Sequence, residues 1–251
     1  MQLLALDTGT DRMSVAVGRW RNGGSLQAWS DQAEGGAHAS SRLIPMIRAL
    51  MAQAGLAFAD LDAIVFGRGP GAFTGLRTAC AVAQGLALGA RADVEGAAPL
   101  PVLPIDSLMA VAEQARIAHA SDRRPWDVLA MLDARMDQVY VGSYRWNGTQ
   151  WQVLAAAALA RPQDVPFVPG QVLAGNVFDV YGARLPPESA AAPRIAALPL
   201  ASAMLLLAPV LLAQGQAVDP ALALPLYIRD KVASTTAERA AAKAVSQAAA
   251  S

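Results

Sequence analysis

Two short stretches carry groups that could do chemistry. Near the start, Asp7-Thr8-Gly9-Thr10 places a carboxylate, two hydroxyls and a glycine on one turn. A turn of this kind lets backbone N–H groups approach a phosphate while the carboxylate positions a metal ion. The second stretch, Gly67-Arg68-Gly69-Pro70-Gly71-Ala72-Phe73-Thr74-Gly75, opens an apolar helical run. No Gly-Lys-Ser/Thr follows, so it is not a Walker-type P-loop. Thr74 is placed to cap the helix, and N–H groups at a helix start can receive an anion. The same glycines would equally serve a tight strand-to-helix turn that touches no ligand. Asp7, Thr8, Gly9, Gly69, Gly71 and Thr74 are therefore the candidate anion or nucleotide contacts. Metal and nucleophile sets are thin. His38 and His119 are far apart and lack a ligand-spaced partner. No nucleophile-elbow pattern occurs. Cys80 lies in an apolar helical run and reads as a small packing residue.

The elements that must hold these groups alternate between strand and helix. Residues 2–6 form an apolar run ending at Asp7, a central strand. Strands at 13–17 and 26–29 follow, with Asn22-Gly23-Gly24 as their hairpin turn. Leu43, Ile44, Ile47, Leu50, Met51 and Ala54 recur at helical spacing, with Ser40 or Ser41 as cap and Gly55 as stop. A strand at 63–66 leads into the glycine loop and a helix over 74–88. Asp106-Ser107 starts another helix, to about residue 118. After a polar break at 121–125 come strands at 127–132, 138–144, 151–154 and 171–174, a helix over about 201–215, and a last short strand at 223–228. From Ser234 the chain is rich in Ala, Ser and Thr, and a frayed helix or disordered tail is expected.

The second half repeats the first. LDTGTDRMSVAVGRW (6–20) lies on LDARMDQVYVGSYRW (132–146) at an offset of 126, with six of fifteen positions identical. The pattern points to two duplicated lobes, as in actin-like and sugar-kinase-like proteins. The second copy has lost its clamp chemistry, because Ala134 and Arg135 stand where Thr8 and Gly9 do. Gly175-Asn176 is the nearest substitute for an adenine-holding glycine pair. ATP hydrolysis by this chain alone is not expected.

In the helix after the glycine loop, Arg77 is the one charge before Arg91. Gly75, Ala79, Ala83 and Leu86 make one stripe, and Leu76, Cys80, Ala81 and Leu88 cover much of the rest. A helix apolar nearly all round must be covered on most sides. The cover is either this chain's own core or a second protein, with the Ile44/Ile47/Met51 helix as the neighbouring surface.

Bulk composition sets limits. Apolar residues are 54% and charged residues 16%, which argues for a globular α/β chain. Twenty basic and twenty acidic side chains cancel, so no global field draws in nucleic acid. One cysteine excludes a disulfide framework and fits a reducing compartment. The uncharged run 195–213 approaches membrane-spanning length, but Pro199 and Pro209 interrupt it and it reads as a buried helix. The N-terminus lacks a basic region and does not read as a signal peptide.

The segments LLALDTGTDRMSVAV, AHASSRLIPMI, GRGPGAFTGLRTACAVAQGLALG, LPIDSL, LDARMDQVYVGSYR and PLYIRDKVA together resemble the TsaB family of the bacterial tRNA threonylcarbamoyladenosine machinery. The resemblance implies a two-lobed actin-like ATPase fold of the hexokinase and heat-shock-chaperone superfamily. The lobes would span 1–104 and 105–230, followed by the tail 231–251. It implies a cytoplasmic, non-catalytic subunit that dimerises with the related catalytic subunit TsaD and works with the ATPase TsaE. The complex modifies the adenosine beside the anticodon of ANN-decoding tRNAs. No cofactor is implied for this chain alone, ATP or ADP belonging to the assembled complex, and a homodimer could form when the partner is missing. The docking helices would present Ile44, Ile47, Met51, Phe73, Leu76, Arg77, Ala79, Cys80, Ala83 and Leu86. Ala72 replaces the family's usual serine, which removes one hydroxyl that could meet an anion. The competing expectation is an independent kinase-like or metallopeptidase-like enzyme of the same fold.

Overall fold

A computed structural model describes residues 1–21, 24–36, 39–119 and 125–229. Asn22 and Gly23 of the expected hairpin turn, His38, residues 121–124 of the polar break and the tail from Ser234 lie outside the described residues.

Among the described residues, ten strands form two five-stranded sheets. The first contains β1 (Gln2–Asp7), β2 (Arg12–Trp20), β3 (Leu26–Glu34), β4 (Ala63–Gly69) and β5 (Val102–Asp106), in the order β3-β2-β1-β4-β5. The second contains β6 (Trp126–Arg135), β7 (Gln138–Trp146), β8 (Trp151–Ala160), β9 (Val172–Gly175) and β10 (Arg194–Ala196), in the order β8-β7-β6-β9-β10. In each, an antiparallel three-strand meander is extended by two parallel strands. The two sheets thus share one topology, and β7 follows β2 by 126 residues at both ends. This is a duplicated, two-lobed α/β fold.

Five α-helices among the described residues cover the sheets: α1 (Ala39–Ala54), α2 (Phe73–Gly89), α3 (Ser107–His119), the single turn α4 (Phe178–Tyr181) and α5 (Ala201–Ala213). Strand β1 alternates its side chains between two cores, as the period of two requires. Leu4 and Leu6 face α1 and α2, and Leu3 and Ala5 face α5. In the second sheet Val128, Ala130 and Leu132 pack under Leu108, Val111 and Ala115 of α3. Helices α3 and α5 touch each other and so join the two lobes.

Several expected boundaries move. Helix α1 begins at Ala39, so Ser41 lies inside it rather than capping it. Helix α2 takes Ala72 as its N-cap without a side-chain bond, and Thr74 is already helical. Strand β8 continues through its alanines to Ala160, carried by pairing with β7 that its own weak β-propensity does not announce. Strand β10 was not expected from the sequence. Among the described residues no helix is long and apolar enough to cross a membrane.

Candidate functional site

The Asp7–Thr10 turn and the glycine loop are packed on each other. Asp7 closes β1 and is 1% exposed. Its Oδ1 accepts the Gly9 N–H at 2.9 Å, and the Ser107 hydroxyl stands 3.5 Å from Oδ2. A Cβ on Gly67 would lie 1.8 Å from the same Oδ2. Burial pushes the Asp7 carboxyl up to about 7, against the opposing pull of the Gly9 N–H and the Ser107 hydroxyl. Thr8, fully buried, donates its hydroxyl to the Gly75 carbonyl at 2.6 Å. The Gly9 carbonyl accepts the Ala72 N–H at 2.7 Å. Thr10 turns its hydroxyl back onto Arg12.

The glycines of the loop are explained by this contact. A Cβ on Gly71 would meet the Gly9 carbonyl oxygen at 2.5 Å, and one on Gly75 would meet the Thr8 oxygen at 1.9 Å. Gly69 has φ +115° and faces the Leu226 carbonyl. The loop therefore makes room for the N-terminal turn rather than for an anion. Of the candidate nucleotide contacts, Asp7, Thr8, Gly9, Gly69 and Gly71 are spent on the chain itself, and Thr74 sits on the outer surface of α2.

The second copy of the turn has another shape. Residues 8–11 separate β1 from β2, but only Met136 and Asp137 separate β6 from β7. Arg135, Met136 and Asp137 all have positive φ, at 61°, 55° and 56°. The tighter turn shifts the register. Leu6 faces Val15 in the first hairpin, whereas Leu132 faces Tyr140 in the second, one residue from the position the offset of 126 requires. Asp133, the counterpart of Asp7, accepts the Arg135 N–H, pairs with the Arg135 guanidinium at 3.1 Å and takes the Tyr181 hydroxyl. Asn176 accepts the Asp133 N–H rather than waiting for a base. A cleft of about 510 Å³ remains between the lobes, lined by both Asp11 and Arg12 and both Asp133 and Arg135. The nucleotide and metal that the fold implies do not fit these residues. Neither aspartate has a free, exposed carboxylate, and no cluster of three His, Cys, Asp or Glu exists among the described residues.

Helix α2 is placed by a different demand. Leu4, Leu6, Ile64 and Phe66 of the sheet need a cover, and small residues let the helix come close. Gly75, Leu76, Ala79, Cys80, Ala83 and Ala87 are accordingly the buried side of α2. This corrects the sequence reading. Ile47, Met51, Leu76, Ala79, Cys80 and Ala83 are core, so none is available to a second protein. Ile44, Phe73 and Leu86 are half-buried, and Arg77 is exposed. The outward row consists of Thr74, Thr78, Ala81, Gly85 and Leu88; the sequence reading named Thr74 as a cap and Ala81 and Leu88 as apolar cover, but placed none of the five among the docking residues. A small-residue stripe looks the same whether it meets a sheet or a partner. The missed signal was Gly85, a mid-helix glycine whose absent Cβ would meet nothing within 4 Å.

Residues 219–229 strap this helix down. Gln84 donates to the Pro220 and Ala223 carbonyls, and the Cys80 thiol also donates to Ala223. Arg77 stacks 3.8 Å from the Phe73 ring centroid and donates to the Tyr227 hydroxyl. Arg229 then reaches the second hairpin, at the Ala134 carbonyl and the Gln138 side chain. The strand expected at 223–228 is this irregular strap, whose Leu226 N–H bonds Arg68 alone.

The family profile of TsaD, tRNA N6-adenosine threonylcarbamoyltransferase, matches residues 33–237. The tRNA threonylcarbamoyladenosine biosynthesis protein TsaB of Escherichia coli K12 is 32% identical over 241 residues, 93% of this chain and 96% of that protein. The chain belongs to the TsaB family. The TsaB of Haemophilus influenzae is 39% identical over 140 residues, 56% of this chain and 52% of that protein. Among solved structures, YeaZ from Pseudomonas aeruginosa is 35% identical and superposes with a TM-score of 0.74 over 90% of this chain and 99% of its own. A second Pseudomonas aeruginosa structure, described as similar to peptidase YeaZ, gives 0.76 at 35% identity over 91% of this chain and 99% of its own.

Proposed function

We propose that this chain is a non-catalytic subunit in the formation of threonylcarbamoyladenosine on tRNA, and that it pairs with a TsaD-type catalytic subunit through the outer faces of α1 and α2. The observation that carries the reading is the outward row of α2. It is small and uncharged from Thr78 to Leu88, and Gly85 there has no packing reason inside the chain. A glycine in a helix interior costs about 1 kcal/mol relative to alanine, and close approach of a second backbone is a reason to keep it. Exposed Pro45, Ala49 and Ala52 of α1 extend the same kind of surface. The non-catalytic part of the reading is supported by the turn of Asp7, where the buried carboxylate is held by the Gly9 N–H and the Thr8 hydroxyl is bonded to Gly75. tRNA and a TsaE-type ATPase would then be met only through the complex.

Mixing the purified chain with a TsaD-type subunit should give a 1:1 species by light scattering. Calorimetry of the chain alone with ATP-Mg or Zn²⁺ should show no binding at micromolar levels. Tight binding of either by the isolated chain would favour the kinase-like or metallopeptidase-like alternative and overturn this reading. Concentration-dependent self-association that the TsaD-type subunit cannot displace would assign the α2 face to a homodimer instead.

A further inference from the structure

Three of the five tryptophans gather where β6 begins, β7 ends and β8 begins. Two of them, Trp146 and Trp151, have ring centroids 5.5 Å apart at 57° and wall a cavity of about 180 Å³. Met109 from α3 with Leu207, Val210 and Leu211 from α5 supply its aliphatic lining. No residue of α1, α2 or the interlobe cleft lines it.

One ion pair holds both tryptophan walls. Glu113 is 2% exposed. It accepts Arg116 Nε at 2.7 Å and Nη2 at 2.6 Å, and Trp151 Nε1 at 2.9 Å. The Arg116 guanidinium in turn lies 4.6 Å from the Trp146 ring centroid. A buried ion pair is a weak source of stability, because desolvation offsets the attraction. What this pair secures is the orientation of two adjoining rings that border a space no described side chain fills. Fixed walls around an apolar space are the general form of a preorganised small-ligand site.

Size and charge define the occupant. An apolar cavity of roughly 150 Å³ stays dry and takes up benzene. Glu113 and Arg116 cancel, so the interior has no net charge to offer an ion. Thr149, Gln150 and Gln214 line the same cavity with uncharged hydrogen-bonding groups suited to a ring's hydroxyl or amide substituent. We propose that this cavity binds one uncharged aromatic ring. The ring arrives either as a free small phenol or indole or as an aromatic side chain displayed by another polypeptide.

The test uses the full chain and fluorine NMR. One arm titrates 4-fluorophenol, the other a neutral capped tripeptide with 4-fluorophenylalanine at its centre. At least one probe should bind saturably. The dissociation constant should rise at least about tenfold in Val210→Trp or Thr149→Trp, each of which fills the space from an exposed position. Val153→Trp, exposed and outside the cavity, should bind as wild type. Tighter binding of the tripeptide identifies a displayed side chain, and tighter binding of the phenol a free molecule. Absence of saturation by either probe at millimolar concentration overturns the proposal, as does unchanged binding in both filling variants.

Discussion

Asp7→Asn tests the central structural claim about the first turn. In a working phosphate clamp this carboxylate would be ionised and open to solvent. Here it is fully buried, its Oδ1 is taken by Gly9, and burial raises its ionisation from the ordinary 3.8 to about 7. The folded value exceeds the unfolded one, so its stabilising contribution is complete below about pH 3.8 and is lost as pH rises toward 7. At about 1.4 kcal/mol per unit, between 1 and 2 kcal/mol are lost by pH 5 and about 4 by pH 8. Asparagine keeps the carbonyl that Gly9 needs and carries no ionisable group. Urea unfolding at pH 5 and pH 8 should therefore show Asp7→Asn gaining roughly 2–3 kcal/mol relative to wild type between the two conditions. A variant that loses the same stability at both pH values would refute the reasoning. It would mean that the carboxylate is ionised in the folded protein and needed there.

Gly75→Ala should lose more than about 2 kcal/mol in urea unfolding, because the new methyl would meet the Thr8 carbonyl oxygen. Gly85→Ala should instead gain about 0.5–1 kcal/mol in the isolated chain, since its methyl points into open space on a helix. Thr8→Val should cost about 1 kcal/mol through loss of the bond to Gly75, read from the urea midpoint at unchanged slope. Arg229→Ala should cost about 1–2 kcal/mol by the same assay, as the strap loses its tie to the second hairpin.

The duplicated fold was legible because the repeat survives at identical spacing in the strands, where alternation of apolar residues is enforced by two cores. Its tip was not. The second turn has the same number of residues, but β6 runs two residues further, to Arg135. Three left-handed residues close the hairpin, so the sequence offset stays intact while the pairing moves by one. Glycine was the hardest residue to interpret. Gly71 and Gly75 look like an anion loop in sequence, yet each is fixed by a carbonyl of a turn more than sixty residues away. The apolar stripe of α2 was legible as a stripe. Which side faces the sheet depends on where β1 and β4 lie, and periodicity alone does not hold that information. The strap escaped the reading because its β-like residues make one backbone bond to a strand, Leu226 to Arg68 of β4, and otherwise bond a helix and a hairpin.

The most direct measurement of the account is the pairing affinity of Gly85→Glu with a TsaD-type subunit, determined by calorimetry beside the wild-type chain. The exposed position predicts a variant that folds and melts within about 1 kcal/mol of wild type. It also predicts at least a hundredfold weaker pairing, since a charge would replace the hydrogen at the closest backbone approach (roughly 3 kcal/mol). Wild-type affinity in a folded Gly85→Glu chain would contradict the claim that α2 serves association.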